Sequence, residues 1–339
     1  MNSRIIPFPK LNIIAEISAN HGGSLNKAKE LISAAKESGA TAVKLQTFTA
    51  ESITVQSDSF TIPATSQIWA GRNLWELMKE AETPLDWHGE LFDYAYSIGI
   101  ECLSTAYSIP AIAFLKSLGS KKLKISSFDL INTPLLQEAV KFPGLVILST
   151  GMATLDEVRI AHEIFKEREE WVFMLCTSSY PCPQNEVNIR KIRTLQELAP
   201  VVGYSDHTKN SIAAVMAVAL EVKYFEKHLV LDGDETLDSG FSLSPKEFAL
   251  YVRDLHDAYL SLGSSSFYLM PNERASLWER PSIIALEDIS IGDLMTEQNI
   301  GVRRPSVGDL PSNFYSLLSS KAKRSYRKGE GVFLNNETS

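Results

Sequence analysis

Within its first 265 residues the chain sets a short β-rich apolar run ahead of a helical pattern eight times over. The runs are LNIIAEIS, TAVKLQTF, IECLST, KKLKISS, GLVILST, EWVFMLCT, VVGYSD and KYFEKHLVL. Amphipathic stretches such as TLDEVRIAHEIFKERE and KNSIAAVMAVALE separate them. Parallel strands need crossover helices of this kind, and eight strand–helix units is the count that closes a (β/α)8 TIM barrel. A doubly wound sheet is the competing arrangement. It more often shows a Gly-rich phosphate loop after its first strand, and this chain has none there. Capping boxes mark two helix starts, Thr154 with Glu157 and Ser244 with Glu247, the second with Pro245 at the first helical position.

Two segments break the rhythm. Residues 49–71 are too long and irregular for a simple βα loop, and such a loop on a barrel's C-terminal face covers the site or a neighbouring subunit. From about residue 281, short runs alternate with Gly, Pro and Asp turns, the pattern of a small strand-rich domain. A chain of 339 residues also exceeds the usual single core. The expected organisation is a catalytic barrel over 1–265, a linker over 266–280 and a strand-rich domain over 281–339. The basic run KAKRSYRKGEGV near the end reads as a solvated face.

Net charge is −8, so no global basic field exists to draw in nucleic acid, and an anionic small substrate needs local Lys, Arg or metal. No apolar run reaches the roughly twenty residues of a membrane span, and MNSRIIPFPK lacks a signal-peptide core. Three sparse cysteines, Cys102, Cys176 and Cys182, fit a reducing cytoplasm and show no zinc spacing. Cys182, in YPCP, reads as a structural thiol, with a reactive one as the alternative.

A parallel barrel carries its chemistry at the C-terminal ends of its strands, and polar residues fall there repeatedly. Glu16 and Ser18 close the first strand; Lys44 and Gln46 share one face of the second. Ser104 and Thr105 end the third, Lys124, Ser126 and Ser127 the fourth, and Ser149 and Thr150 the fifth, just before Gly151. Thr177 and Ser178 end the sixth, followed by Tyr180; Ser205, Asp206 and His207 end the seventh; Glu226 and His228 lie two apart on the eighth. Two inward lysines among hydroxyls, with the Ser149–Gly151 turn, form a cradle for phosphate and carboxylate. His207 and His228, on adjacent strands, can approach one divalent ion and leave positions open, which suits a catalytic site and Mn, Fe, Co or Zn over Ca. A glutamate at a strand end is costly unless paired or used, which makes Glu16 and Glu226 catalytic candidates. Gly22 and Gly23 let the chain turn sharply beside a ligand. Asn20 and His21 hold that turn, with sugar contact as the alternative. His88, in DWHGELF, reads as a helix-surface residue.

The runs IIAEISANHGGSL, AVKLQTF, STGMATLDE, CTSSYPCP, VGYSDHT, EKHLVLD and DSGFSLSPKEF resemble the N-acetylneuraminate (sialic acid) synthase family over nearly the whole chain. The terminal segment with IGVRRP resembles that family's antifreeze-like (SAF) domain. Within the family, AEISANHGGSL, LWELMKEAETPLDWH and LDSGFSL are most similar to pseudaminic acid synthases. The resemblance implies condensation of phosphoenolpyruvate with an open-chain amino sugar to a nine-carbon 2-keto acid, dependent on a divalent metal (Mn, Co or Mg) held by His207 and His228. It assigns Lys44, Lys124, Ser127 and Ser149 to phosphoenolpyruvate and places Gln46, Asp129, Tyr180 and Asp238 on the sugar side. It matches Arg304 to an arginine that enters the partner's site in a domain-swapped homodimer. Ser178 and Asp129 stand where sialic acid synthases carry Asn and Glu, departures that bear on sugar identity. A Schiff-base aldolase using Lys44 or Lys124, and a non-catalytic sugar-binding protein, are the rival readings.

Overall fold

A computed structural model describes residues 11–65 and 68–335. The N-terminal run inspected above for a signal-peptide core lies outside them. The chain divides into two compact units, one up to Gly263 and one from Ser264.

In the first unit, eight strands form a closed parallel barrel in chain order: β1 (Asn12–Glu16), β2 (Ala42–Thr47), β3 (Glu101–Ala106), β4 (Lys122–Ile125), β5 (Leu145–Ser149), β6 (Trp171–Cys176), β7 (Val201–Asp206) and β8 (Tyr224–His228). Each lies inside one of the eight β-rich runs. The helices are α1 (Leu25–Glu37), α2 (Ala50–Ile53), α3 (Leu74–Ala81), α4 (Trp87–Ser97), α5 (Ile109–Ser117), α6 (Thr133–Ala139), α7 (Leu155–Phe165), α8 (Lys191–Gln196), α9 (Ile212–Ala219) and α10 (Pro245–Leu262). The strands are buried on both faces, so they read as nearly continuous apolar runs. Outward residues such as Ile13, Val43, Leu123, Val146, Phe173 and Phe225 meet the helices in the main core. Inward residues Ile14, Ala42, Leu103, Ile147, Val172 and Met174 plug the barrel below its polar mouth. Space there is tight: a Cβ at Gly203 would stand 2.8 Å from Met174 Cγ.

Both capping boxes form. Thr154 N–H donates to Glu157 Oε2 (2.7 Å) and Ser244 N–H to Glu247 Oε2 (2.9 Å), each answered by the glutamate's own N–H on the hydroxyl. Asn20 does hold the turn after β1, donating to Leu229 O (2.8 Å) and Ser242 Oγ (2.9 Å) and accepting from Thr236 Oγ1 (2.6 Å).

His88 is not a surface residue. It is fully buried, its Nε2 2.9 Å from Thr47 Oγ1 and its Nδ1 3.1 Å from Pro84 O. The physical reason is periodicity: His88, Leu91 and Ala95 fall at i, i+3 and i+7 on the buried face of α4.

His21 is buried as well. Its Nδ1 accepts from Gly23 N–H (3.1 Å), which leaves Nε2–H to donate to Thr83 Oγ1 (3.1 Å). Burial, then the neighbouring His88, push its pKa down to about 4. A base with a depressed folded pKa loses stability as pH falls from its ordinary 6.5, because the unfolded chain takes up the proton first. Glu16, described below, slopes the opposite way, so the wild-type trend alone does not isolate His21. We expect the stability advantage of wild type over His21→Gln to shrink by about 3 kcal/mol between pH 7 and pH 4. Urea unfolding of both proteins at the two pH values measures this, and an unchanged advantage would show that His21 is not held neutral.

The second unit is built on an antiparallel pair, β9 (Ser282–Ala285) and β10 (Ile300–Arg303), with further single bridges from Ile284, Ile289 and Leu294. Ile283, Ile289, Met295, Ile300, Tyr326 and Val332 belong to its separate small core. In its basic run, the Arg324 guanidinium lies 4.1 Å from the Tyr326 ring and pairs with Glu330 (3.1 Å). Among the described residues no helix is long and apolar enough to cross a membrane.

Candidate active site

The barrel mouth opens into a cavity of about 640 Å³. Strand register brings its floor together. Glu16 sits between Lys44 on β2 and His228 on β8, Lys124 pairs with Thr105, and Glu226 with Ser205. Four ionisable side chains meet there almost without solvent: Glu16 is 0%, Lys44 4%, Lys124 2% and Glu226 4% exposed. The Lys44 ammonium pairs with Glu16, lies 3.5 Å from Glu226 Oε1 and donates to Thr105 Oγ1 (2.8 Å). Lys124 Nζ donates to Ser149 Oγ (2.5 Å) and lies 4.0 Å from Glu226 Oε2. Ser205 Oγ donates to Glu226 Oε1 (3.3 Å).

Two positive and two negative groups offset one another in a poorly solvated place, and their environments separate the two carboxylates. Burial lifts Glu16 to about 7; Lys44 pulls it down and Glu226 pushes it up. Burial acts on Glu226 too, but Lys124 and Lys44 outweigh it and hold its pKa below the usual range. Burial likewise lowers Lys124, whereas Lys44, flanked by both carboxylates, is raised in spite of burial. One carboxyl is thus poised near neutrality beside another that stays ionised, the usual separation of an acid/base group from a charge stabiliser.

Beside Lys124 lies a cluster of small donors. Gly151 N–H donates to Ser127 Oγ (3.0 Å), and a Cβ at Gly151 would come within 2.3 Å of Ser178 Oγ and 2.7 Å of Ser127 Oγ. Glycine is needed there for three strand ends to converge.

His207 and His228 have ring centroids 5.3 Å apart, and both line the cavity. His207 Nδ1 bonds to Thr177 O (2.9 Å), which leaves Nε2 as the lone-pair nitrogen. His228 Nδ1 is buried with no hydrogen-bond partner. Burial, then His207 and the lysines, drive its pKa well below the usual histidine range, so it is a neutral imidazole. Two neutral nitrogen donors with one buried nitrogen orphaned fit a divalent ion. Among the described residues no third His, Cys, Asp or Glu completes a cluster, so other positions would fall to water or substrate.

One wall is apolar. Ile53 and Ile62 from the 49–71 segment, Trp69, and Leu74, Leu77 and Met78 of α3 face the cavity with Phe241. The long segment therefore lies over its own barrel's site. Tyr180 packs on Phe241 (4.8 Å) and His207 (4.3 Å). Gln46 donates to Ser18 Oγ (2.8 Å), Ser126 Oγ donates to Asp129 Oδ2 (2.5 Å), and Asp238 is buried with its pKa raised by that burial. Of the candidate site residues, all but Ser178 and Arg304 line the cavity. Ser178 stands behind Gly151, and Arg304 belongs to the second unit.

Residues 31–267 match the NeuB family, and residues 280–335 match the SAF domain. The chain belongs to the NeuB family. It is 38% identical over 327 residues to the pseudaminic acid synthase of Campylobacter jejuni, covering 95% of each chain. It is 35% identical to the N,N'-diacetyllegionaminic acid synthase of Legionella pneumophila, covering 94% of this chain and 92% of that one. Among solved structures, the sialic acid synthetase of Leptospira borgpetersenii in complex with citrate superposes with a TM-score of 0.70 at 30% identity, over 79% of this chain and 90% of that one. The family resemblance seen in the motifs is borne out.

In this NeuB chain, sequence reasoning missed the apolar wall, because its residues come from a loop and a helix that meet only on folding. It also left Asp206 among the strand-end polar groups, whereas Asp206 faces outward and pairs with Lys227. Strict alternation along β7 and β8 was the signal that could have found this. Cys182 is buried, and burial raises its thiol pKa, as a structural thiol requires.

Proposed function

We propose that this chain is a pseudaminic acid synthase, condensing phosphoenolpyruvate with 2,4-diacetamido-2,4,6-trideoxy-L-altrose to give a nine-carbon 2-keto acid and phosphate. The observation that carries the reading is the buried Glu16–Lys44–Glu226–Lys124 floor beneath an apolar wall. The pseudaminic acid synthases among its relatives support the choice of sugar.

Lys44 and Lys124, with the Ser127, Ser149 and Gly151 donors, hold the carboxylate and phosphate of phosphoenolpyruvate. Its C3 attacks the sugar aldehyde, water adds at C2, and the adduct expels phosphate by C–O cleavage. Glu16, with a pKa near 7, moves the proton of that water. Glu226 stays ionised and faces positive charge developing at C2. His207 and His228 would hold the divalent ion, which when bound supplies Lewis acidity toward the aldehyde oxygen. The apolar wall suits a 6-deoxy carbon and acetamido methyls, which gain by leaving water.

The test is incubation with phosphoenolpyruvate, Mn²⁺ and a panel of amino sugars, with products identified by mass and NMR. Clearly higher efficiency with N-acetylmannosamine would overturn the sugar assignment. Borohydride trapping with pyruvate would instead establish a Schiff-base aldolase.

Lys124→Ala should weaken phosphoenolpyruvate by about ten- to a hundred-fold while sparing the sugar, since a charge-assisted hydrogen bond contributes roughly 1.5–3 kcal/mol. Steady-state kinetics in each substrate measures the split, and an unchanged KM for phosphoenolpyruvate would make the lysine structural.

The active unit is a swapped homodimer in which Arg304 reaches the other copy's site. Arg304 is exposed and forms no ion pair among the described residues. The nearby acid that could have held it, Asp309, accepts instead from the backbone N–H groups of Leu310 (2.9 Å) and Leu334 (3.1 Å). Its guanidinium suits bidentate contact with a carboxylate or acetamido oxygen. Mixing inactive Lys124→Ala and Arg304→Ala chains under subunit exchange should therefore recover part of the activity. Exchange without recovery would refute the trans arrangement.

A further inference from the structure

We infer that the buried Asp206–Lys227 pair, on the outer face of the barrel, is the positioning device that fixes His207 and His228 relative to each other. Asp206 and Lys227 stand directly opposite in the β7–β8 register, and Lys227 stands opposite Ala15 on β1. Side chains alternate along a strand, so these two point outward while the neighbouring histidines point into the cavity. Neither side chain has any exposure, and Lys227 Nζ lies 3.4 Å from Asp206 Oδ2. The outer face around them is otherwise apolar or aromatic, with Ala15, Val202, Tyr204 and Phe225. A charge pair in such a layer is a poor source of stability, because desolvation of two ions costs about as much as their attraction returns. Its presence calls for a second role.

That role lies in what the pair grips. Asp206 Oδ1 accepts from Thr208 N–H (2.8 Å), and Lys227 Nζ donates to Thr208 O. Both backbone polar groups of the residue after His207 are thereby tied, one to β7 and one to β8. On the other side Cys182 N–H donates to His207 O (2.8 Å). The His207 turn is pinned to the strand that carries His228, with Lys227 next to His228 in sequence. A hydrophobic pair at 206 and 227 could fill the space but could not make these ties.

The inference rests on the proposed function only for its catalytic consequence. The positioning itself is read without metal. Full-length protein labelled with ¹⁵N-histidine has six imidazoles to observe. In the double variant Lys227→Met, Asp206→Leu no buried charge is left unpaired, so a merely structural role would be rescued. We expect a urea midpoint near that of wild type, displaced or broadened ring signals for His207 and His228, and unmoved signals for His21 and His88. We also expect kcat to fall at least tenfold with KM for phosphoenolpyruvate within twofold. Native His207 and His228 signals in the folded double variant would overturn the inference. Should the double variant not fold, Asp206→Asn keeps the shape and an acceptor for Thr208 while weakening the hold of Lys227. It should displace the same two signals, and unmoved signals there would overturn the inference equally. Mn²⁺ titration of wild type by EPR is read separately: absence of binding would sink the metal reading and leave the NMR outcome standing.

Discussion

Replacing Lys44 by methionine should remove about 3–5 kcal/mol of stability at neutral pH, together with all measurable turnover. Lys44 is the only side chain paired with both Glu16 and Glu226 among the described residues. Methionine keeps most of its volume, so the loss is electrostatic rather than a cavity. Without the ammonium, two buried carboxylates repel across the barrel floor, and only Lys124, 4.0 Å from Glu226, remains to compensate. Glu16 already titrates near 7 with Lys44 present, and it would stay protonated to higher pH without it. A carboxyl whose folded pKa is raised loses stability as pH climbs above its unfolded value. Wild type completes that loss near pH 7, whereas the variant continues to lose above it. The deficit should therefore be larger at pH 8.5 than at pH 6, and adding Glu16→Gln should recover more than half of it without restoring activity. Urea unfolding at the two pH values decides the matter. A deficit under about 1 kcal/mol would mean that the floor is not a coupled charge cluster.

His228→Ala should abolish turnover while leaving the fold intact. Its Nδ1 has no hydrogen-bond partner, so truncation orphans nothing, and the lost contacts are mainly with Phe241, 4.9 Å away. Excess EDTA should reproduce the variant's inactivity in wild type, and Mn²⁺ or Co²⁺ should reverse it in wild type alone. The variant's circular dichroism should match wild type. Full activity in excess EDTA would remove the metal from the mechanism.

The eight strands, their parallel closure and the strand-end location of the polar residues are all legible in the chain. Each rests on a local or periodic signal: apolar runs of four to six residues, helices at 3.6-residue spacing, and capping boxes at Thr154 and Ser244. The strand ends follow because a parallel barrel puts all eight on one face. His88 was misjudged although its signal was present, since its i, i+3, i+7 partners Leu91 and Ala95 mark the buried side of α4.

What stayed invisible depends on partners distant in sequence. The opposite pKa shifts of Glu16 and Glu226 arise from how Lys44 and Lys124 divide between them, and they stand 210 residues apart. The outward turn of Asp206 becomes meaningful only when β8 brings Lys227 alongside. The apolar wall exists only because the 49–71 segment and α3 fold over the mouth. Composition and spacing specify which groups are available and which face they occupy. Distances between groups on different strands set Coulomb energies and desolvation, and those distances come into being only when the barrel closes.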